Sequence, residues 1–87
     1  MAAQLDGNVL AGPLSEIFLA DMTLADACCG GCADVSVIAR AIVEITGDRF
    51  VIRCHACGNT MATLVQSPDA NRLDTSGMSW LGVPRQA

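Results

Sequence analysis

Two Cys-x2-Cys pairs, Cys29/Cys32 and Cys54/Cys57, constrain this chain more than any other feature; 21 residues separate them. Such a pair is a knuckle: the chain turns sharply between the thiols, and backbone N–H groups inside the turn point at the first sulfur. Two knuckles at a separation close to about 15–20 residues are the pattern of an S4 metal site. All-thiolate tetrahedral coordination selects zinc or iron. Cys29, Cys32, Cys54 and Cys57 are therefore the expected ligands, of Zn2+ first and of iron as the alternative. A redox-active dithiol and unmetallated buried cysteines are the competing readings.

Size gives the site its importance. At 87 residues, the chain is expected to be a single domain that buries too little surface to be comfortably stable on packing alone. Its large aromatic side chains are Phe18, Phe50 and Trp80 only; Ala, Val, Ile and Leu carry the apolar content. The cysteines are the one staple on offer. The N-terminus "MAAQLDGNVLAG" lacks the basic and apolar regions of a leader, and "VSVIARAIVEI" is too short and too interrupted to span a membrane. The expected compartment is the cytoplasm, where thiols stay reduced and paired cysteines hold metals rather than form disulfides.

"Cys28-Cys29-Gly-Gly-Cys32" offers a fifth thiol. Gly58 follows Cys57 and suits the left-handed residue that closes a knuckle, whereas Ala33 follows Cys32. Left-handed Ala costs about 1–2 kcal/mol, so Gly30 or Gly31 is expected to absorb the strain of the first knuckle. Cys28-x3-Cys32 stays open as the alternative pairing. Cys28 otherwise reads as a small buried hydrophobe at a strand end. His55 is expected to sit exposed on the knuckle tip without a chemical role. A replacement ligand and a Cys28–His55 nucleophile pair are its other readings, and the pair has no third group to orient it. No catalytic residue is assigned.

The rest of the chain supplies a frame. Leu10, Leu14, Ile17 and Phe18 form one helical stripe. With Asn8 as candidate N-cap and Pro13 inside, the pattern predicts a loose turn over 6–11 and a helix over about 13–20. A strand over 22–29 leads into the first knuckle. Residues 34–45 alternate apolar and mixed positions and predict one continuous strand. Gly47-Asp48 then turns a hairpin that pairs Ile45 with Phe50 and Val43 with Ile52, with Glu44 diagonal to Arg49 and Arg53. Further strands are expected at 60–66 and in "RLDT", a turn in "SPDAN", and a turn in "SGMSWL" that tucks Met78, Trp80 and Leu81 onto the core. The layout is one domain over 1–87, with a helical cap at about 8–21, a ribbon at about 22–76 and a fraying tail at about 82–87.

Five Arg, no Lys and nine acidic residues give a net charge of −4. Four thiolates around a dication would bring this to about −6. Arg40, Arg49 and Arg53 could share a small basic patch, but the balance argues against nucleic acid as partner.

"LDGNVLAGPLSEIF" at 5–18, the two knuckles and "RLDTSGMSWL" at 72–81 together resemble a family of short bacterial zinc-ribbon proteins, a domain of unknown function with an N-terminal LDGNxLAG motif. The resemblance spans roughly residues 5–81. It implies a small metal-stapled β fold, a zinc ribbon of rubredoxin-like type with an N-terminal α-helix. It also implies Cys29, Cys32, Cys54 and Cys57 as ligands, and no activity. The leading expectation is a non-enzymatic zinc module that binds a protein partner. The alternative is a rubredoxin-like iron electron carrier or an accessory to an oxidoreductase. A nucleic-acid-binding ribbon comes third.

Overall fold

The computed structural model describes residues 3–85. Strand β1 (Ala3–Asp6) runs into a 3-10 turn (Gly7–Leu10) and a short helix, α1 (Ala11–Ser15). A second 3-10 turn (Met22–Leu24) precedes β2 (Asp26–Cys29) and β3 (Val35–Val37). A third (Ile38–Arg40) precedes β4 (Ile42–Thr46) and β5 (Arg49–Arg53). Then come β6 (Thr60–Gln66), β7 (Asn71–Asp74) and β8 (Met78–Gly82). The strands form two antiparallel sheets, ordered β1-β4-β5-β6-β7 and β3-β2-β8. The protein is thus a small β-rich fold with one short N-terminal helix.

The β4–β5 hairpin has the expected register, Ile45 opposite Phe50 and Val43 opposite Ile52. On its outer face Glu44 pairs with Arg53, its diagonal neighbour. Val43, Ile52 and Leu64 are almost fully buried on the inner face, and Leu10, Leu14, Met22 and Ile38 cover them. Phe18 and Phe50 lie at the margin of this core. Alanines at 25, 27, 41 and 62 occupy its centre and let the two sheets approach.

Residues 34–45 are not one strand. The chain leaves the smaller sheet after Val37, turns through Ile38–Arg40 and enters the larger sheet at Ile42. The alternation read along the sequence cannot register a change of sheet. Ile38, on the nominal outer set, is buried, with its N–H on Ala25 O at 2.9 Å, while Val35, on the inner set, is 51% exposed.

The N-terminal helix is also shorter and earlier than the periodicity predicts. It ends at Ser15, so Leu10 and Leu14 reach the core while Ile17 is exposed. Pro13 is tolerated because the first N–H groups of a helix have no intrahelical acceptor. Asn8 caps nothing: Asp6 caps the 3-10 turn, its Oδ1 accepting from Asn8 N at 3.0 Å, and Leu10 stands at the helix N-cap position without a side-chain hydrogen bond. Gly7 is needed because a Cβ there would lie 1.7 Å from Ile38 O. "LDGN" is therefore explained by a cap and a close backbone contact.

Two further expectations fail. Residues 22–24 form a 3-10 turn capped by Asp21, and the strand begins only at Asp26. "MSWLG" is a strand, not a turn, since it finds a partner in β2. Met78 and Leu81 pack on the core as expected, but Trp80 is 49% exposed. Among the described residues no helix is long and apolar enough to cross a membrane.

The burial pattern separates two leucines of one segment. Leu10→Ala should destabilise the protein by about 2–5 kcal/mol, the cost of a core cavity. Leu19→Ala, at a side chain 95% exposed, should stay within about 0.5 kcal/mol of the parent. Urea denaturation of the two variants checks this; equal effects would contradict the packing described.

Candidate metal centre

Each knuckle begins where a strand of a different sheet ends. β2 delivers Cys29, and β5 delivers Cys54 one residue past its last paired position. From there the two loops follow the same hydrogen-bond pattern. Cys29 N donates to Asp34 O at 2.9 Å, and Cys54 N to Asn59 O at 2.8 Å. Ala33 N donates to Cys29 O and Gly58 N to Cys54 O, both at 2.9 Å. Inside the loops, Gly31 N points at Cys29 Sγ (3.3 Å) and Ala56 N at Cys54 Sγ (3.4 Å).

The pattern fixes a corresponding residue in each loop with positive φ. Gly58 has φ +78° and Ala33 has φ +65°. The expectation that Gly30 or Gly31 would absorb the strain is therefore wrong. The N–H of the fifth residue must reach back to the first carbonyl, and only a left-handed turn at that residue lets the chain leave afterwards into a strand. Ala33 carries the steric cost itself.

The four predicted thiols meet between the loops. Cys29 Sγ lies 3.6 Å from Cys57 Sγ, and Cys32 Sγ 3.7 Å from Cys54 Sγ; all four sulfurs lie within 4.8 Å of one another. A disulfide would need about 2.05 Å. A tetrahedron of sulfurs about 2.3 Å from a central ion has edges of about 3.8 Å. The donor set and its spacing fit a metal ion, so the cluster could hold one. Cys29 and Cys54 are buried and Cys32 and Cys57 exposed.

The cluster's protonation follows from its geometry. The Gly31 N–H on Cys29 Sγ brings that thiol down to about 6, against burial and with help from the Cys32 N–H and the neighbouring thiols. Cys32 receives the Asp34 N–H, yet Cys57, burial, Cys54 and Cys29 together push it up to about 12. Cys57 is also raised, because burial, Cys29 and Cys54 outweigh the Asn59 N–H and Cys32. Cys29 ionises easily and Cys32 and Cys57 then resist, as close like charges must. A cation at the centre removes that resistance.

Cys28 lies outside the cluster. It pairs with Val35 and Trp80 across the smaller sheet, is buried, and its Sγ contacts Cys29 O at 3.9 Å. The Cys28-x3-Cys32 pairing has no support in this arrangement.

His55 is not idle on the tip. It is half-buried, and its Nε2 lies 3.0 Å from Asp34 Oδ2 and 2.9 Å from Ser36 Oγ; Ser36 Oγ also donates to Asp34 Oδ2 at 2.7 Å. The Ser36 hydroxyl, with His55, holds the Asp34 carboxyl below the usual carboxylate range. Asp34 follows the first knuckle and His55 belongs to the second, so these residues clip one loop to the other. Asn59 adds a contact, Nδ2 to Cys29 Sγ at 3.8 Å. The sequence reading missed Asp34, Ser36 and Asn59. The signal was available at Asp34 and Asn59, which each stand five residues past the first thiol of a pair.

A small β-rich protein with a compact four-cysteine cluster between two matched loops is the class these features define. The chain belongs to the family described as "Family of unknown function (DUF6510)", which matches residues 1–86. No curated protein and no solved structure matches it.

The matched loops predict opposite responses to one methyl group. Gly58→Ala should lower stability by about 1–2 kcal/mol, since it places a Cβ on a left-handed residue. Ala33→Gly should be neutral or stabilise by up to about 1 kcal/mol. Denaturation of both variants in one buffer decides; a clear loss of stability in Ala33→Gly would refute the left-handed assignment.

Proposed function

We propose that this protein is a zinc-ribbon module: Cys29, Cys32, Cys54 and Cys57 hold one Zn2+, and the assembled domain binds a protein partner without catalysing a reaction. The observation that carries the reading is the convergence of four sulfurs within 4.8 Å of one another, with two separations, 3.6 and 3.7 Å, close to the edge of an S4 tetrahedron around zinc. The ion supplies a cross-link between the two sheets, because each contributes one knuckle. Structural zinc sites bind with apparent free energies on the order of 10–16 kcal/mol in finger peptides, comparable to the whole stability of a domain.

Two observations support a binding role over catalysis. Asp34, Ser36 and His55 have the composition of a hydrolytic triad, but the carboxylate and the hydroxyl both meet Nε2. A relay needs them on opposite ring nitrogens. Exposed Val35 and Trp80 flank Cys28 on the smaller sheet, an apolar surface of the kind that partners cover.

One observation favours a second reading, the iron electron carrier: Cys32 and Cys57 are exposed, so one edge of the cluster reaches the surface where electrons could leave. Elemental analysis after production with both metals separates the two. Stoichiometric zinc and no visible absorbance are expected; stoichiometric iron with thiolate-to-iron absorbance would replace the first reading by the second.

Removing the metal with a strong chelator under reducing conditions should abolish most β-structure in circular dichroism, and zinc should restore it. An unchanged cooperative melt would show that the core holds the fold by itself. Cys28→Ala should keep a full complement of metal, whereas Cys29→Ala should lose it. His55→Ala should keep the metal but weaken its retention by about 10-fold or more in chelator competition, as loss of an outer-shell partner does. Unaltered retention would reduce the clip to a surface contact.

A further inference from the structure

The outer face of the larger sheet carries a second cluster that the cysteines do not explain. Arg49 on β5 and Arg72 on β7 both lie directly opposite Val65 on β6. Residues opposite one another project from the same face, so the two arginines flank one valine. The gap between their strands is two strand spacings, about 10 Å, and each side chain is long enough to cover half of it. A shallow cleft of about 300 Å³ lies there, lined by Arg49, Val65, Ser67, Ala70 and Arg72. A second, of about 260 Å³, shares Arg49, Val65 and Arg72 and adds Thr63 and Asp74. The two form one trough with cations on both sides. Arg53, on the same face, is occupied by Glu44; among the described residues Arg49 and Arg72 have no ion-pair partner.

We infer that this trough binds the phosphate group of a small hydroxylated phosphate monoester. The phosphate sits over Val65 between the two guanidinium groups, whose planar forks match its oxygens in pairs. Asp74 stands at the far end and gives the trough a direction. Its Oδ1 takes the Ser76 N–H at 2.8 Å, which keeps the carboxylate ionised. It repels a second anionic group and accepts from a ligand hydroxyl. The size of the trough suits a small molecule. The net charge of −4 disfavours an extended polyanion.

Titration of the metal-loaded protein with glycerol 3-phosphate and with inorganic phosphate, followed by amide and guanidinium NMR shifts, tests the site. Saturable shifts at Arg49, Val65 and Arg72 are expected, with glycerol 3-phosphate binding more tightly. Arg49→Gln and Arg72→Gln should each weaken binding about 10-fold, and the double variant more. Arg40→Gln, at a residue lining neither cleft, should bind within about 2-fold of the parent. Asp74→Asn should bind inorganic phosphate at least as tightly as the parent and lose the preference for glycerol 3-phosphate. Thermal melts establish that each variant is folded. Binding that survives the double variant, or shifts that do not saturate, would overturn the site. Stronger binding of a single-stranded oligonucleotide at matched salt would overturn the small-molecule assignment.

Discussion

Four sulfurs held within 4.8 Å of one another are the constraint on which the rest of this structure depends. Thiols so close can be neutral, or can share one negative charge, but they cannot all be ionised without a cation among them. At Cys29 the backbone nonetheless favours ionisation, because the Gly31 N–H points at its sulfur. The Ala56 N–H points in the same way at Cys54 Sγ. Four thiols placed this way could hold a positive ion at the centre.

The location of the cluster makes it more than a local staple. Its loops leave from β2 and β5, strands of different sheets. The larger sheet contributes Val43, Ile52 and Leu64 to the core, and the segment before β2 contributes Met22 and Ala25. Phe18 and Phe50 are only marginal, so among the described residues no aromatic side chain is fully buried in the core. Alanines permit close approach but contribute little burial each. The clip of Asp34, Ser36 and His55 reinforces the same junction, and the pair Glu44–Arg53 braces the β4–β5 hairpin within the larger sheet. Arg53 Nη1 also reaches Gly58 O at 3.5 Å, which ties the hairpin's outer face to the second knuckle.

Much of this was legible in the sequence wherever the cause was local. The thiol spacing, the hairpin register and the β6 and β7 strands depend on neighbours within a few residues, and the sequence shows them directly. What could not be read depends on a change of partner. Val35 to Ile45 keeps a consistent alternation although its two ends serve different sheets, so the break at Ile38 leaves no periodic trace. Ile17 and Leu10 look equivalent on a helical wheel, but α1 stops at Ser15, and only Leu10 reaches the core. "MSWLG" lacks a strand signal because its partner, β2, lies some fifty residues earlier, and its Trp80 faces outward. The resemblance to an uncharacterised family added the extent of the domain and no activity.

Ala33 shows how far the cluster dictates the backbone around it. A free loop would avoid φ +65° at an alanine, since the steric cost is about 1–2 kcal/mol. The residue stays there because several contacts each fix its position. Its own N–H is bound to Cys29 O, Cys29 N is bound to Asp34 O, and the next residue is held by Ser36 and His55. Relaxing Ala33 would break this network and move Cys32 away from Cys54. A strained residue persists only where its surroundings over-determine it. Here what over-determines it is the match between the two loops. The second loop meets the same demand with Gly58 at no steric cost. The strain at Ala33 is therefore set by the geometry of four converging sulfurs and not by the local sequence, which is why the sequence assigned it to the neighbouring glycines.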